Sequence, residues 1–109
     1  MSLSTHVLDS VRGRPAAGVG VRLESARQSG TQRLAAATTD ADGRIRELAA
    51  ELPAGTYRLT FDTGAYFAEL GQPAFYPEVT VSFTVTDPLR HHHVPLLLAP
   101  FAYSTYLGS

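Results

Sequence analysis

HHHVPLLLAPFAYSTYLGS, residues 91–109, reads as two extended segments separated at Ala99-Pro100, with no charged residue after Arg90. Aliphatic and aromatic residues dominate both segments. Such an apolar stretch is expected to be buried, either in the core of a domain or between subunits. Three consecutive histidines stand at its start, and histidine is the side chain that most readily exchanges a proton near neutral pH. The stretch therefore predicts a buried strand that carries candidate groups for proton transfer.

Three upstream runs show the two-residue alternation that is typical of half-buried strands. Residues 78–86 alternate strictly between apolar and polar side chains, and residues 19–24 and 57–61 do so over shorter lengths. Turn-forming groups separate the runs at Gly13-Arg14-Pro15, Asp42-Gly43, Pro53-Ala54-Gly55 and Asp87-Pro88. Many short strands with turns at such intervals predict an all-β fold, a β-sandwich.

One segment departs from this alternation. Thr63 can cap a short helix in which Tyr66, Phe67 and Leu70 share a face, and Gly71 can end that helix. The sequence therefore predicts one short helix in a protein of strands.

Length and composition exclude several classes of protein. A chain of 109 residues is expected to form one domain, residues 1–109. Nine basic and ten acidic residues give a net charge of −1, which provides no electrostatic surface for nucleic acid or an anionic membrane. The absence of cysteine excludes disulfides, thiolate catalysis and thiolate metal sites. Because we find neither a membrane-spanning stretch nor a secretory leader, we expect a cytoplasmic protein without nucleic-acid or membrane partners.

Five short motifs follow one another along the chain. They are LSTHVLD at 3–9, GRPA at 13–16, TDADGR at 39–44, HHHVPLL at 91–97 and YLGS at 106–109. They are similar to the motifs Thr-His-Val-Leu-Asp, Gly-Arg-Pro-Ala, Thr-Asn-x-Asp-Gly-Arg, His-Tyr-His-Val-Pro-Leu-Leu and Tyr-Arg-Gly-Ser of one family. In their order and spacing, the chain resembles the transthyretin-related proteins, specifically the 5-hydroxyisourate hydrolases.

The resemblance implies a fold, a reaction and an assembly. The fold is a transthyretin-like β-sandwich of seven to eight strands with one short helix. The reaction is hydrolysis of the cyclic amide of 5-hydroxyisourate to 2-oxo-4-hydroxy-4-carboxy-5-ureidoimidazoline, a step of urate breakdown that needs no metal or other cofactor. The assembly is a homotetramer, a dimer of dimers, whose active sites lie in the channel where the dimers meet.

Strand alternation places two histidines on outer faces of the predicted sandwich. His6 lies opposite the core face of the first strand, and His93 lies opposite the core face of the strand at 91–98, whereas His92 falls on the core side. The core faces themselves are expected to carry Leu3, Thr5 and Val7 in the first strand and Val94, Leu96 and Leu98 in the second.

The resemblance assigns roles to five residues. His6 and His93 together activate the water, and one of them then acts as an acid toward the leaving nitrogen; which is the base stays open. Arg44, at the start of a strand after the Asp42-Gly43 turn, matches the substrate-binding arginine of the family. Tyr106 and Ser109 would complete the cleft, so the predicted substrate-binding residues are His6, Arg44, His93, Tyr106 and Ser109.

The tail contains one departure from the family pattern. Leu107 stands where family members have arginine, and leucine cannot hydrogen-bond an anionic ligand. Three explanations remain open: the arginine is dispensable, another cation such as Arg46 takes its place, or the activity is reduced. Arg46 has no counterpart in the family motif and is therefore left out of the predicted site.

The same residues could serve two other functions. His91 and His93 share a strand face and could hold zinc with a third ligand such as His6, but no acidic motif stands at ligand spacing, so we predict no metal site. The alternative to an enzyme is a non-catalytic, transthyretin-like protein that binds a small ligand. Carriers of that kind lack histidines at positions 6 and 93 and have an acidic residue at position 44, so Arg44 and the two histidines favour the hydrolase.

Overall fold

Two β-sheets and a short helix form the domain. The computed structural model describes residues 3–27 and 30–109. Within these ranges the elements are β1 (Leu3–Asp9), β2 (Arg14–Pro15), β3 (Gly20–Arg27), β4 (Gly30–Thr38), β5 (Arg44–Ala49), β6 (Gly55–Phe61), α1 (Thr63–Glu69), β7 (Val79–Val85), β8 (His92–Ala99) and β9 (Ala102–Thr105). The predicted all-β architecture with one short helix is confirmed.

The two sheets differ in how their strands pair. The first has the order β2-β1-β8-β9, and β5 also pairs with β1. In this sheet β1 and β8 run parallel, from the pair Leu3 and His92 to the pair Asp9 and Leu98. The second sheet has the order β4-β3-β6-β7 and is antiparallel throughout. Strand β1 therefore joins the beginning of the chain to β8 on one side and to β5 on the other.

The core lies between the inward faces of both sheets, as the alternation predicts. Its buried apolar residues include Leu3, Val7, Val21, Leu23, Leu59, Phe61, Val79, Val85, Val94, Leu96 and Leu98. Thr5 is a polar member of the same face, and its hydroxyl donates to the carbonyl of Val94 at 2.6 Å. A buried hydroxyl that finds a partner avoids the cost of desolvation, so Thr5 is tolerated among aliphatic neighbours.

The apolar tail is buried over only half its length within one chain. Val94, Leu96 and Leu98 of β8 are buried, whereas all four residues of β9 are exposed. Phe101 and Leu107, on either side of β9, are 65% and 56% exposed. Of the two expected modes of burial, the core accounts for β8 alone, and β9 remains exposed within one chain.

Helix α1 begins one residue earlier than the sequence suggests. Asp62, not Thr63, occupies the N-cap position, so the prediction of Thr63 as the cap was wrong. Thr63 is buried in the first turn instead, because the helix packs that turn against the core. Gly71 ends the helix as predicted, with φ +66° and its N–H donating to the carbonyl of Ala68 at 3.0 Å. Among the described residues, no helix has the length and apolar character needed to cross a membrane.

Candidate active site

The pairing of β5, β1 and β8 brings the predicted site residues onto one outer face. His6 of β1 pairs with Arg44 of β5, and Ser4 of β1 pairs with His93 of β8. Directly paired residues of neighbouring strands present their side chains to the same face. The two predicted histidines and the predicted arginine therefore share one sheet surface, although they are far apart in sequence.

A tight turn fixes the point at which Arg44 enters β5. The Asp40 carboxylate accepts from the backbone N–H groups of Asp42 at 2.9 Å and of Arg44 at 3.0 Å. The hydrogen bond from the Arg44 N–H is the main reason that the pKa of Asp40 lies below its usual value. Gly43 has φ +73°, and a Cβ at that position would collide with the carbonyl oxygen of Val7. In this turn, the Asp40 carboxylate binds two backbone N–H groups, and position 43 must be glycine because there is no room for a side chain.

A cleft of about 250 Å³ opens on this face. Its lining consists of Ser4, Thr5, Arg44, Ile45, Arg46, His91, His93 and Ser109. Three predicted site residues, Arg44, His93 and Ser109, therefore meet in one cleft. Arg46 also lines it, although the family motif gave no reason to include it, and its guanidinium lies 3.9 Å from the Asp42 carboxylate.

The other two predicted site residues, His6 and Tyr106, do not line this cleft. His6 is half-buried beside the cleft, paired with Arg44, and is close enough to His93 to affect its pKa. Tyr106 lines a different groove of about 310 Å³ that also includes Leu107 and the core-side residue His92. Within one chain, Tyr106 therefore does not line the first cleft.

Ser4 is the site residue that the sequence did not identify. Its hydroxyl lies 2.7 Å from Nδ1 of His93 and 2.9 Å from Nε2 of His91, and the residue is only 8% exposed. The sequence signal was its position two residues before His6, on the same strand face. That signal is too weak by itself, because the register between β1 and β8 decides which histidines the hydroxyl meets.

The environment of His93 favours its neutral form. Burial lowers the pKa of His93, and the charges of Arg44, His6 and His91 lower it further, while the Ser4 backbone acts in the opposite direction. A cation beside an imidazole disfavours a second positive charge. A neutral imidazole can accept a proton, so His93 is suited to act as a general base near neutral pH.

Gly108 attaches the end of the chain to His93. Its backbone N–H donates to the carbonyl oxygen of His93 at 2.8 Å. A Cβ at position 108 would lie 2.5 Å from Cδ2 of the His93 ring, so only glycine fits there without a shift. This contact places the next residue, Ser109, at the cleft.

Metal ligation by the histidines finds no support from their arrangement. Within residues 3–27 and 30–109, no three His, Cys, Asp or Glu side chains are grouped so as to hold a metal ion. His91 and His93 instead both contact the Ser4 hydroxyl.

Comparison with known proteins places this chain among close relatives. The profile of the HIUase/Transthyretin family matches residues 3–108. A 5-hydroxyisourate hydrolase of Caulobacter vibrioides is 48% identical over 112 residues, which span 98% of this chain and 97% of that protein. The 5-hydroxyisourate hydrolase of Mus musculus is 45% identical over 111 residues, with 98% and 94% of the two chains covered.

Solved structures give the same fold for two functions. The structure of Klebsiella pneumoniae 5-hydroxyisourate hydrolase matches with a TM-score of 0.88 and 44% identity over all of both chains. Sea bream transthyretin, solved in complex with thyroxine, matches with a TM-score of 0.93 and 36% identity over 99% of this chain and 95% of that one. The backbone is thus at least as close to a thyroxine-binding protein as to a hydrolase, and only the side chains in the cleft can separate the two functions.

Proposed function

The chain belongs to the HIUase/Transthyretin family, and on this premise we propose that it is a 5-hydroxyisourate hydrolase of urate degradation, acting in the cytoplasm. The reaction opens the cyclic amide of 5-hydroxyisourate and yields 2-oxo-4-hydroxy-4-carboxy-5-ureidoimidazoline.

The polar lining of the cleft is the observation that carries this proposal. Sites for small ligands are usually lined mostly by apolar and aromatic side chains. Here Ile45 is the one large aliphatic side chain among the lining residues, and imidazole, guanidinium and hydroxyl groups supply the rest. Such a surface suits a planar, electron-rich heterocycle and a reaction that moves protons, and it is poorly suited to holding an apolar ligand such as a hormone.

His93 is the proposed general base. With its pKa lowered, it is neutral near pH 7 and can take a proton from a water molecule that attacks the amide carbon. His6, beside it on β1, orients that water or shares the proton. The same imidazole then returns the proton to the leaving nitrogen as the carbon–nitrogen bond breaks, and a carboxylate product results.

Arg44 is the proposed electrostatic partner of the base. Its planar guanidinium carries several donors, which can hold the substrate and stabilise the negative charge that develops on the amide oxygen. Its register opposite His6 puts that charge next to both histidines. Ser109 closes the cleft through the backbone contact of Gly108, and Tyr106 contributes from a second subunit.

The proposed assembly is a homotetramer, a dimer of dimers. Both β7 and β9 are outer strands of their sheets, and the groove that contains Tyr106 and Leu107 is also lined by β7 residues. Open strand edges with exposed apolar side chains are templates for pairing with another chain. A second copy would extend both sheets at this side, and a second dimer would cover the outer faces that carry the cleft.

The experiment that tests the activity follows the ultraviolet absorbance of freshly prepared 5-hydroxyisourate. We expect the wild type to accelerate its decay, and His93→Ala to lose about 10²–10⁴-fold in rate, the typical contribution of a general base. His92→Tyr is the matched control, because this neighbouring histidine faces the core and should leave the rate unchanged. Leu107→Arg tests whether the tail limits the activity. If none of these proteins accelerates decay, the hydrolase proposal fails and ligand binding becomes the leading function.

Sedimentation and activity at decreasing protein concentration test the assembly. We expect a species of four chains, and we expect specific activity to fall as it dissociates. A fully active monomer would overturn the proposal that the cleft is completed by other subunits.

A further inference from the structure

Ser4 joins two histidines through one hydroxyl group. Its Oγ is 2.7 Å from Nδ1 of His93 and 2.9 Å from Nε2 of His91, within hydrogen-bond range of both nitrogens at once. The residue is 8% exposed, and its position in β1 is held by parallel pairing with His93 itself. The hydroxyl is therefore fixed between the two rings by the backbone register.

Counting protons limits how this contact can be made. A hydroxyl has one proton to donate and two lone pairs with which to accept. With both rings neutral, three arrangements satisfy both contacts. Nδ1–H of His93 donates to Oγ and the Oγ–H donates to Nε2 of His91, or both hydrogen bonds run in the reverse direction. In the third, both ring nitrogens donate to Oγ and the hydroxyl proton points elsewhere, so no proton can pass between the rings.

The first two arrangements, which alone link the rings by a proton path, leave His93 in opposite chemical states. In the first arrangement Nε2 of His93 carries a lone pair and can act as a base. In the second arrangement Nε2 carries a proton and can act as an acid. Both states are needed in succession by a hydrolysis in which one group first takes a proton from water and then gives one to the leaving nitrogen.

We propose that Ser4 is a positioning residue of the reaction, and that Ser4 and His91 form a proton relay that switches His93 from its base form to its acid form. This inference rests on the proposed function and deepens it. In the resting state, His93 donates through Nδ1–H to Ser4, and Ser4 donates to His91.

Each step of the relay conserves protons. Nε2 of His93 takes the proton of the attacking water and the ring becomes an imidazolium. Its Nδ1 proton passes to Oγ of Ser4, and the hydroxyl proton passes to Nε2 of His91. His93 is then neutral with Nε2–H directed at the leaving nitrogen, while His91 holds the positive charge. As His93 gives that proton to the nitrogen, the reverse shift along the same contacts returns a proton from His91 through Ser4 to its Nδ1, so the ring stays neutral and the resting state is restored.

A serine beside a histidine can also be a nucleophile, and this second reading predicts a different intermediate. Attack by Ser4 would create an ester on its Oγ, whereas the relay leaves the residue unmodified. Ser4 lines the cleft, but its burial and its contact with a second imidazole favour the relay, because the oxygen is held between two rings by hydrogen bonds.

Four variants of the full-length protein test the relay through rate constants. We expect Ser4→Ala to lower kcat roughly tenfold to a hundredfold, as loss of a group that orients a functional histidine does elsewhere, with KM changed much less. Ser4→Thr keeps the hydroxyl and should restore most of kcat. Ser25→Ala is the matched control: Ser25 is similarly buried at 5% exposure, lies in the other sheet, and its hydroxyl has no hydrogen-bond partner in the described part of the chain.

The fourth variant, His91→Phe, tests the coupling. If His91 acts only through Ser4, His91→Phe should lower kcat in the wild type but add nothing to Ser4→Ala. Independent, additive losses in the double variant would overturn the relay, as would wild-type kcat in Ser4→Ala or a substrate-derived ester found on Ser4 by mass spectrometry.

A spectroscopic measurement separates this inference from the proposed activity. The ¹⁵N resonances of the wild-type imidazoles, recorded at about pH 8, above the ordinary histidine pKa of about 6.5, report which ring nitrogen carries the proton. We expect a protonated Nδ1 and an unprotonated Nε2 in His93, and a loss of this preference in Ser4→Ala. The opposite form in the wild type would overturn the proposed resting state. This measurement needs no substrate, so it tests the hydrogen-bond arrangement of His93 and Ser4 even if the protein does not hydrolyse 5-hydroxyisourate.

Discussion

The carbonyl oxygen of His93 accepts a hydrogen bond of 2.8 Å from the backbone N–H of Gly108, and the His93 ring occupies the space where a side chain at position 108 would be. The proposed general base is thus held on two sides: the hydroxyl of Ser4 contacts its Nδ1, and the tail covers its Cδ2 edge. A base with its ring fixed in this way loses little entropy on reaching the reactive geometry.

Gly108→Ala should therefore disturb the base directly. The added methyl would stand 2.5 Å from Cδ2 of His93, so the ring or the tail must move. We expect kcat to fall about tenfold or more, since an error of about 1 Å in a catalytic group can cost up to 10²-fold. Gly20→Ala is the control, because the nearest atom to its new Cβ, in Asp62, is 3.7 Å away. Equal rates for the two variants would show that the tail does not position His93.

The pKa of His93 predicts how activity depends on pH. Because the pKa is lowered, first by burial and then by the charges of Arg44 on β5, His6 on β1 and His91 just before β8, the base is still mostly neutral at pH 6.5. We expect kcat/KM to hold down to that pH and to fall only below it. In the free protein, Arg44→Gln should raise the pKa of His93 as followed by proton NMR. An unchanged titration would contradict the role given to Arg44.

The same shift has a consequence for stability. A histidine with a lowered pKa in the folded state is protonated first in the unfolded chain, so its protonation favours unfolding. Stability from His93 is therefore present above pH 6.5, the ordinary value, and is lost as the pH falls through the lower folded-state pKa. Urea unfolding of wild type and His93→Gln should converge in stability as the pH falls. A difference in the free energy of unfolding between the two proteins that does not change with pH would contradict this effect of His93.

Compensation for Leu107 by Arg46 is one of three explanations that a variant can separate. It lines the same cleft as Arg44 and His93 and is itself exposed. We expect Arg46→Ala to raise KM roughly two- to fivefold with little change in kcat, because exposed charge contacts contribute about 0.2–1 kcal/mol. Leu107→Arg in the Arg46→Ala background should recover the lost affinity. Arg58→Ala, in the second sheet, is the control. An unchanged KM in Arg46→Ala would mean that the family arginine is dispensable without a substitute.

Tyr66 stabilises a buried carboxylate near the helix. Its hydroxyl donates to Oδ2 of Asp9 at 2.8 Å, while Oδ1 of Asp9 accepts from the backbone N–H of Arg12 at 3.0 Å. Tyr66→Phe should lower the free energy of unfolding by roughly 1–3 kcal/mol, because a buried acceptor loses its donor. Tyr76→Phe is the control, since the Tyr76 ring packs edge-to-face against its aromatic neighbours. A loss of the same size in both variants would contradict this role of the hydrogen bond.

Alkaline pH tests the same contact. Burial, together with the hydrogen bond to Asp9 and its charge, raises the pKa of Tyr66 from 10.0 to about 12. Between these values the tyrosine ionises in the unfolded chain but not in the folded one, so stability should fall as the pH rises from about 10 to about 12. The fall should be smaller in Tyr66→Phe. Parallel curves for the two proteins would argue against a protected Tyr66.

The alternation of residues along each strand was enough to predict which face of the sheet each histidine occupies. A period of two places His6 and His93 on outer faces and His92 toward the core, and the fold places each of the three on its expected side. The helix start was missed by one residue because threonine is a common N-cap, whereas here Asp62 holds the N-cap position without a capping hydrogen bond from its side chain and Thr63 is packed into the first turn. The roles of these side chains remain predictions of the family resemblance.

Non-local register explains what the sequence did not predict. The contact of Ser4 with two histidines depends on how β1 slides against β8, and no periodicity within either strand contains that information. The separation of Tyr106 from the cleft likewise depends on the path of the tail after β9. Both features follow from pairing between distant segments.

The parallel pairing of β1 with β8 also determines when the site can exist. Ser4 and His93 are 89 positions apart, so their hydrogen bond closes nearly the whole chain into one loop. Contacts of such sequence separation form late, because the entropy of closing the loop must be lost before they give any stability. On the ribosome, β1 must wait for its partner strand until most of the chain has been synthesised. A nascent or truncated chain that lacks β8 therefore keeps His6 but not His93, and so has no proposed base.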